Sequence, residues 1–105
     1  MSETFEVKVL PEAISDIEEI RSYIRNELGA VAAAARVVDG ILGAIAGLRM
    51  LPRRNRVIAS NGVRELRRAR YGNYAIVYEA IKQTVTVLAV LYAKRDIASR
   101  LSGLL

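Results

Sequence analysis

Arginine is the residue type in this chain whose spacing points to chemistry. Residues 49 to 70 hold eight arginines against a single acid, Glu65. Four of them, Arg64, Arg67, Arg68 and Arg70, fall within a few positions of one another, with Arg53, Arg54 and Arg56 just upstream and Arg95 further on. A guanidinium stays protonated at any physiological pH and offers a planar fork of N–H donors, so it suits carboxylates and phosphates. Residues 1 to 28 show the opposite balance, seven acids against three bases. Within a net charge of +5, such segregation predicts an anionic partner, either a nucleic acid or an acidic protein. The alternative is a solvated basic face that serves solubility.

Other chemistries are limited by what the sequence lacks. It has no cysteine and no histidine, so thiolate chemistry, disulfides and the usual acid–base group near neutral pH are absent. The reading is a protein without metal or cofactor. No run of 18 apolar residues occurs and the N-terminus does not resemble a signal peptide, so no membrane partner and a cytoplasmic location are expected. A chain of 105 residues is expected to form one domain, 1–105.

The elements that must carry these cations follow from hydrophobic periodicity. Phe5 to Val9 alternates apolar and charged residues, the pattern of a half-buried strand. Pro11 suits the first turn of a helix, and Ala13, Ile17, Ile20, Ile24 and Leu28 form one apolar stripe, with Gly29 as the terminating residue. Leu10 stands where a side-chain cap would be, so this helix begins uncapped. Val31, Ala34, Val38, Ile41, Ile45 and Leu48 give a second helix, stopped by Pro52. The short connection makes the pair an antiparallel helical hairpin. Gly40, Gly43 and Gly47 each cost that helix roughly 1 kcal/mol relative to Ala. They imply either close packing within the molecule or a groove for a partner.

Arg53 to Gly62 reads as a basic loop ending in a Ser60-Asn61-Gly62 turn. Three strands follow, Val63–Arg70, Tyr74–Ala80 and Thr84–Tyr92, joined at Gly72-Asn73 and Lys82-Gln83. The last is apolar on both faces and should be central. Asp96 is placed to cap a short final helix running through Leu101. The expected class is α+β: an N-terminal strand, a helical hairpin, a three-stranded antiparallel meander and a short C-terminal helix.

The ordered words Leu10-Pro11-Glu12-Ala13, Leu51-Pro52-Arg53, Val63-Arg64-Glu65-Leu66, Tyr74-Ala75-Ile76-Val77-Tyr78 and Ala93-Lys94-Arg95-Asp96 resemble the RelE/ParE superfamily, the toxins of type II toxin–antitoxin modules. The resemblance covers roughly residues 5 to 97. It implies a cognate antitoxin, and with it a toxin–antitoxin hetero-oligomer. It also implies one of two targets. RelE-like members are metal-independent endonucleases that cut mRNA on the ribosome; ParE-like members bind DNA gyrase and block its cycle.

For the nuclease, the resemblance carries over a basic position to Arg68 and a phosphate-binding arginine to Arg95. However, Ala75 occupies a strand position that is arginine in RelE, and Leu101 occupies that of its C-terminal tyrosine. Tyr71 and Tyr92, near strand ends, are the candidate replacements, with Arg70 close by. The long hairpin and the ending Lys94-Arg95-Asp96-Ile97 are similar to ParE. The expectation is therefore a ParE-like gyrase inhibitor. Arg64, Arg67, Arg68, Arg70 and Arg95 are its anion-contacting or partner-contacting groups, and Arg53, Arg54 and Arg56 are secondary contacts. RelE-like cleavage and a toxin-fold binding module without activity are the alternatives.

Overall fold

The computed structural model describes residues 4–93 and 97–105. The first strand, β1 (Glu6–Val9), leads into helix α1 (Pro11–Ser22), which widens into a π-turn over Tyr23–Glu27. Helix α2 (Val31–Gly47), a 3-10 turn (Pro52–Arg54) and four strands follow: β2 (Val57–Ser60), β3 (Glu65–Tyr71), β4 (Tyr74–Ile81) and β5 (Thr84–Tyr92). Helix α3 (Ala98–Leu104) closes the chain. The strands form one mixed sheet in the order β1-β5-β4-β3-β2. Here β1 runs parallel to β5, and the other neighbours are antiparallel.

The expected α+β architecture is present, with three local differences. The first is β2, which lies inside the segment read as a loop. It is only four residues long and its register on β3 is broken by a bulge between Val57 and Ala59, so its alternation is too short to stand out from the surrounding arginines. The Ser60-Asn61-Gly62 signal is nonetheless a turn. The Asn61 side-chain oxygen accepts the N–H groups of Val63 and Arg64 at 2.9 and 2.7 Å, which delays β3 to Glu65 and leaves Val63 95% exposed.

The second difference is at the end of the first helix. The Leu28 N–H reaches the Tyr23 carbonyl five residues back. This wider turn rotates Leu28 off the apolar stripe and leaves it exposed. Gly29 then takes a positive φ of 63°, which a residue without Cβ adopts at little cost.

The third difference is that α2 ends at Gly47, before Pro52 acts. Leu48, Arg49 and Met50 donate to carbonyls three residues back, and Leu51 turns left-handed ahead of the proline. The released Arg49 carbonyl accepts the Phe5 N–H at 2.8 Å, tying the hairpin's exit to the entry of β1. Leu10 caps α1 without a side-chain hydrogen bond, as expected.

The sheet is buried on both sides. The hairpin packs Ala13, Ile17, Val38, Ile41, Ile45 and Leu48 onto Ile76, Tyr78, Val85, Val87 and Val90. On the other face Leu66, Val77, Leu88, Ala89 and Leu91 lie under Leu101, Leu104 and Leu105. A bulge in the β4–β5 pairing after Val77 keeps the inward residues of β5 aligned with both layers. Each fully buried aliphatic side chain here is worth about 2 kcal/mol or more in transfer from water.

Of the helical glycines only Gly40 answers to internal packing: a Cβ there would lie 1.9 Å from the Tyr71 ring. Gly43 and Gly47 have nothing within 4 Å.

Candidate functional site

Strand alternation divides the arginines between the two faces of the sheet. Arg67 stands opposite Tyr78, and Arg68 opposite Val77. Tyr78 belongs to the hairpin-side core and Val77 to the α3-side core. Arg67, Ala69 and Tyr71 therefore face the hairpin, whereas Leu66, Arg68 and Arg70 face the side of α3.

Three of the expected cations are engaged inside the molecule. Arg64 holds Glu79 with both prongs, Nε to Oε2 at 2.6 Å and Nη2 to Oε1 at 3.0 Å, and Nη1 donates to the Leu104 carbonyl. That pairing raises the Arg64 pKa further still, against a smaller opposing effect of burial. Arg67 donates to the carbonyls of Arg53 and Asn55. The Arg53 guanidinium donates to the Lys82 carbonyl at 2.9 Å and lies 5.1 Å from the Phe5 ring centre.

Tyr78 anchors the same loop. Its hydroxyl donates to the Pro52 carbonyl and accepts from Asn55 Nδ2 at 2.9 Å. Burial pushes this phenol's pKa up, offset in part by Asn55, Arg67 and Arg54. Arg53, Arg64, Arg67 and Tyr78 together fix the 3-10 turn and the end of α3 on the sheet.

The remaining described cations of the set are different. Arg54, Arg56 and Arg70 are exposed and Arg68 is half-buried. None of the four side chains makes a hydrogen bond or ion pair among the described residues. The pairing of Val57 with Arg67 sets Arg56 at the register position beside Arg68. Like charges on neighbouring strands repel, so this cluster is most favourable with an external anion present. Arg95 lies outside the described residues, as does the Asp96 expected to cap α3.

The sheet also separates the groups a nuclease would have to combine. Tyr71 lies against Gly40 of α2. Tyr92 meets Tyr74 edge to face, with ring centres 5.5 Å apart. Both are on the hairpin side, opposite Arg68 and Arg70. Ala75 is fully buried, and Leu101 packs on the α3-side core. Residues 7–97 match the family profile described as ParE toxin of the type II toxin–antitoxin system, parDE.

This chain belongs to the ParE toxin family. Several solved structures share the fold, three of them toxin–antitoxin systems. One is a chromosomal ParDE toxin–antitoxin system from P. aeruginosa, with a TM-score of 0.72 at 13% identity, covering 87% of this chain and 98% of that one. The second is the RelBE2 toxin–antitoxin complex from Mycobacterium tuberculosis, with a TM-score of 0.64 at 19% identity, covering 88% and 95%. The third is the archaeal RelE–RelB complex from Pyrococcus horikoshii OT3, with a TM-score of 0.61 at 16% identity, covering 88% and 98%. No curated protein sequence matches significantly. No described helix of this ParE-family chain is long and apolar enough to cross a membrane.

Proposed function

We propose that this ParE-family toxin arrests growth by binding DNA gyrase and blocking its cycle, and that a cognate antitoxin neutralises it in a hetero-oligomer. The observation that carries this reading is the placement of Arg68 and Arg70 on the opposite face of the sheet from Tyr71 and Tyr92. Cleavage of RNA without a metal needs a base for the 2′-hydroxyl, an acid for the leaving oxygen and cations for the developing charge, all around one phosphate. Arginines make poor bases, and the phenols that would serve lie on the far side of the sheet. Ala75 and Leu101 contribute only to packing. What the α3 side offers is Arg68 and Arg70, guanidiniums without a side-chain partner among the described residues and suited to docking on an anionic surface. Arg54, Arg56, Arg68 and Arg70 are the contacts assigned to the partner, and the cytoplasm is the implied location.

The test compares two assays on the purified chain. Inhibition of gyrase supercoiling, with mRNA intact on translating ribosomes, is expected. Codon-dependent mRNA cleavage with gyrase unaffected would instead assign the chain to the RelE-like activity. Inactivity in both assays, together with normal growth at verified expression, would assign it to the binding modules without toxicity.

A further inference from the structure

The turn between β2 and β3 carries the chain's one asparagine that is followed by glycine. Asn26, Asn55 and Asn73 precede Glu27, Arg56 and Tyr74, whereas Asn61 precedes Gly62. A glycine nitrogen beside an asparagine side chain is the chemical setting for loss of the side-chain amide. Three features of the fold bear on that reaction.

The first is the electrophile. Asn61 Oδ1 accepts the backbone N–H groups of Val63 at 2.9 Å and Arg64 at 2.7 Å, an Asx-type turn. Two donors on one amide oxygen draw electron density from Cγ. They also stand where negative charge would collect if a nucleophile added to that carbon, the arrangement of an oxyanion hole.

The second is the nucleophile. The Gly62 N–H donates to the Ser60 hydroxyl at 3.1 Å, and both residues are exposed. Gly62 has a φ of 85°, and a Cβ there would meet nothing within 4 Å. The nitrogen is open to water, which can take its proton, and no side chain of its own residue obstructs the approach to Cγ.

The third is what the turn holds. Asn61 Nδ2 donates to the Leu105 carbonyl at 3.3 Å, and Arg64 of the same turn donates to the Leu104 carbonyl. The turn therefore clasps the end of α3, whose Leu101 and Leu104 pack on Leu66, Val77, Leu88, Ala89 and Leu91.

We infer that Asn61 is a self-modifying site: it deamidates in the folded chain, and the product releases the end of α3. The Gly62 nitrogen gives up its proton and bonds to Asn61 Cγ. The Cγ–Nδ2 bond breaks, and Nδ2 leaves as ammonia with a proton returned from water, so that a cyclic succinimide remains. Water then opens the ring. Opening at Cγ gives aspartate, and opening at the main-chain carbonyl gives isoaspartate. The net change is amide and water to acid and ammonia, with nothing oxidised or reduced. In aspartate, a carboxylate oxygen faces the Leu105 carbonyl in place of the N–H donor. In isoaspartate, the main chain runs through Cγ and is one methylene longer, so the turn that sets the start of β3 is rebuilt. Arg54, Arg56, Arg68 and Arg70 take no part, so the inference does not depend on which target the toxin meets.

The test holds the purified full chain folded at mildly alkaline pH, with a second sample in urea, and follows both by peptide mass mapping. The Asn61 peptide should gain the mass of an amide-to-acid exchange and split into aspartyl and isoaspartyl forms. The isoaspartyl form should accept a methyl group from protein isoaspartate methyltransferase. Asn26, Asn55 and Asn73 should keep their amides. Conversion in the folded chain should be at least as fast as in urea, because the donors to Oδ1 exist only in the fold. It should quicken as pH rises, since the nitrogen reacts as its anion. Asn61→Asp supplies the aspartyl product directly. In that variant the Leu105 amide proton, bonded to the Leu101 carbonyl at 3.2 Å, should exchange about fivefold faster, the weight of one ordinary hydrogen bond.

Retention of the Asn61 amide in the folded chain, slower conversion there than in urea, or equal conversion at all four asparagines would overturn the proposal. Unaltered Leu105 exchange in Asn61→Asp would overturn it too, by separating the modification from α3. Each of these results leaves the gyrase assays to stand or fall separately.

Discussion

Arg64 and Glu79 form a two-pronged ion pair across the β3–β4 region, and the third direction of the Arg64 guanidinium is spent on the Leu104 carbonyl. The Glu79 side chain is only 13% exposed and that of Arg64 35%, so the pair is partly shielded from water. Arg64→Ala would strand a nearly buried carboxylate and release the end of α3. The expected loss is about 2 kcal/mol, read as a lower midpoint in urea unfolding. Arg64→Lys should recover only part of it, because an ammonium cannot reproduce the fork.

The split between engaged and unpaired arginines predicts a split in phenotype. Arg68→Ala and Arg70→Ala, separately and together, should weaken growth arrest while changing unfolding free energy by less than about 0.5 kcal/mol. Arg67→Ala removes donors to two loop carbonyls and should destabilise by about 1 kcal/mol. Growth curves at matched expression, paired with thermal unfolding of the purified variants, check both. Unchanged toxicity in the Arg68/Arg70 double variant would remove the anionic-docking argument.

Tyr78 predicts a pH dependence. Its folded-state pKa is raised above the ordinary 10.0 chiefly by burial. The unfolded chain therefore releases this proton first as the solution becomes alkaline, and by linkage stability falls. The contribution is complete below about pH 10 and is lost as pH rises through the folded-state value. Tyr78→Phe should flatten that alkaline slope. It should also cost about 1–2 kcal/mol at neutral pH, by leaving the Pro52 carbonyl and the Asn55 amide without their shared partner. Urea unfolding across the alkaline range measures both effects.

The glycines of α2 provide a control on packing. Gly43→Ala should stabilise the chain by about 0.5–1 kcal/mol, because the added methyl meets nothing and the helix gains propensity. Gly40→Ala should show less benefit or a loss, since the Tyr71 ring must swing away from α2 to admit it. A larger gain at Gly40 than at Gly43 would contradict the described packing.

Local signals were sufficient for most of the fold. Alternation at Phe5–Val9, the three-and-four spacing of the two helices, the turn residues at Gly72-Asn73 and Lys82-Gln83, and the doubly apolar β5 each encode their own element, because periodicity and turn chemistry act over a few residues. The family resemblance was legible for a similar reason: its words sit at the ends of those elements. β2 was missed because four residues broken by a bulge carry too little alternation. Leu28 was misplaced because a π-turn changes the helical period without a distinctive residue to announce it.

The sequence by itself determined that this chain is an α+β toxin-family domain with a dense arginine segment. It did not determine which arginines are available, because availability depends on partners distant in the chain. Glu79 and the Leu104 carbonyl occupy Arg64, and the Arg53 and Asn55 carbonyls occupy Arg67. Only the pairing of β3 with β4 and of β4 with β5 puts Tyr74 and Tyr92 on the face opposite Arg68. Only the ending of β1 at Val9 leaves the Val90 N–H to the Asp16 carboxylate of the first helix. Residue type and spacing specify what a side chain can do; strand register and the packing of α3 decide which of these groups still meet solvent.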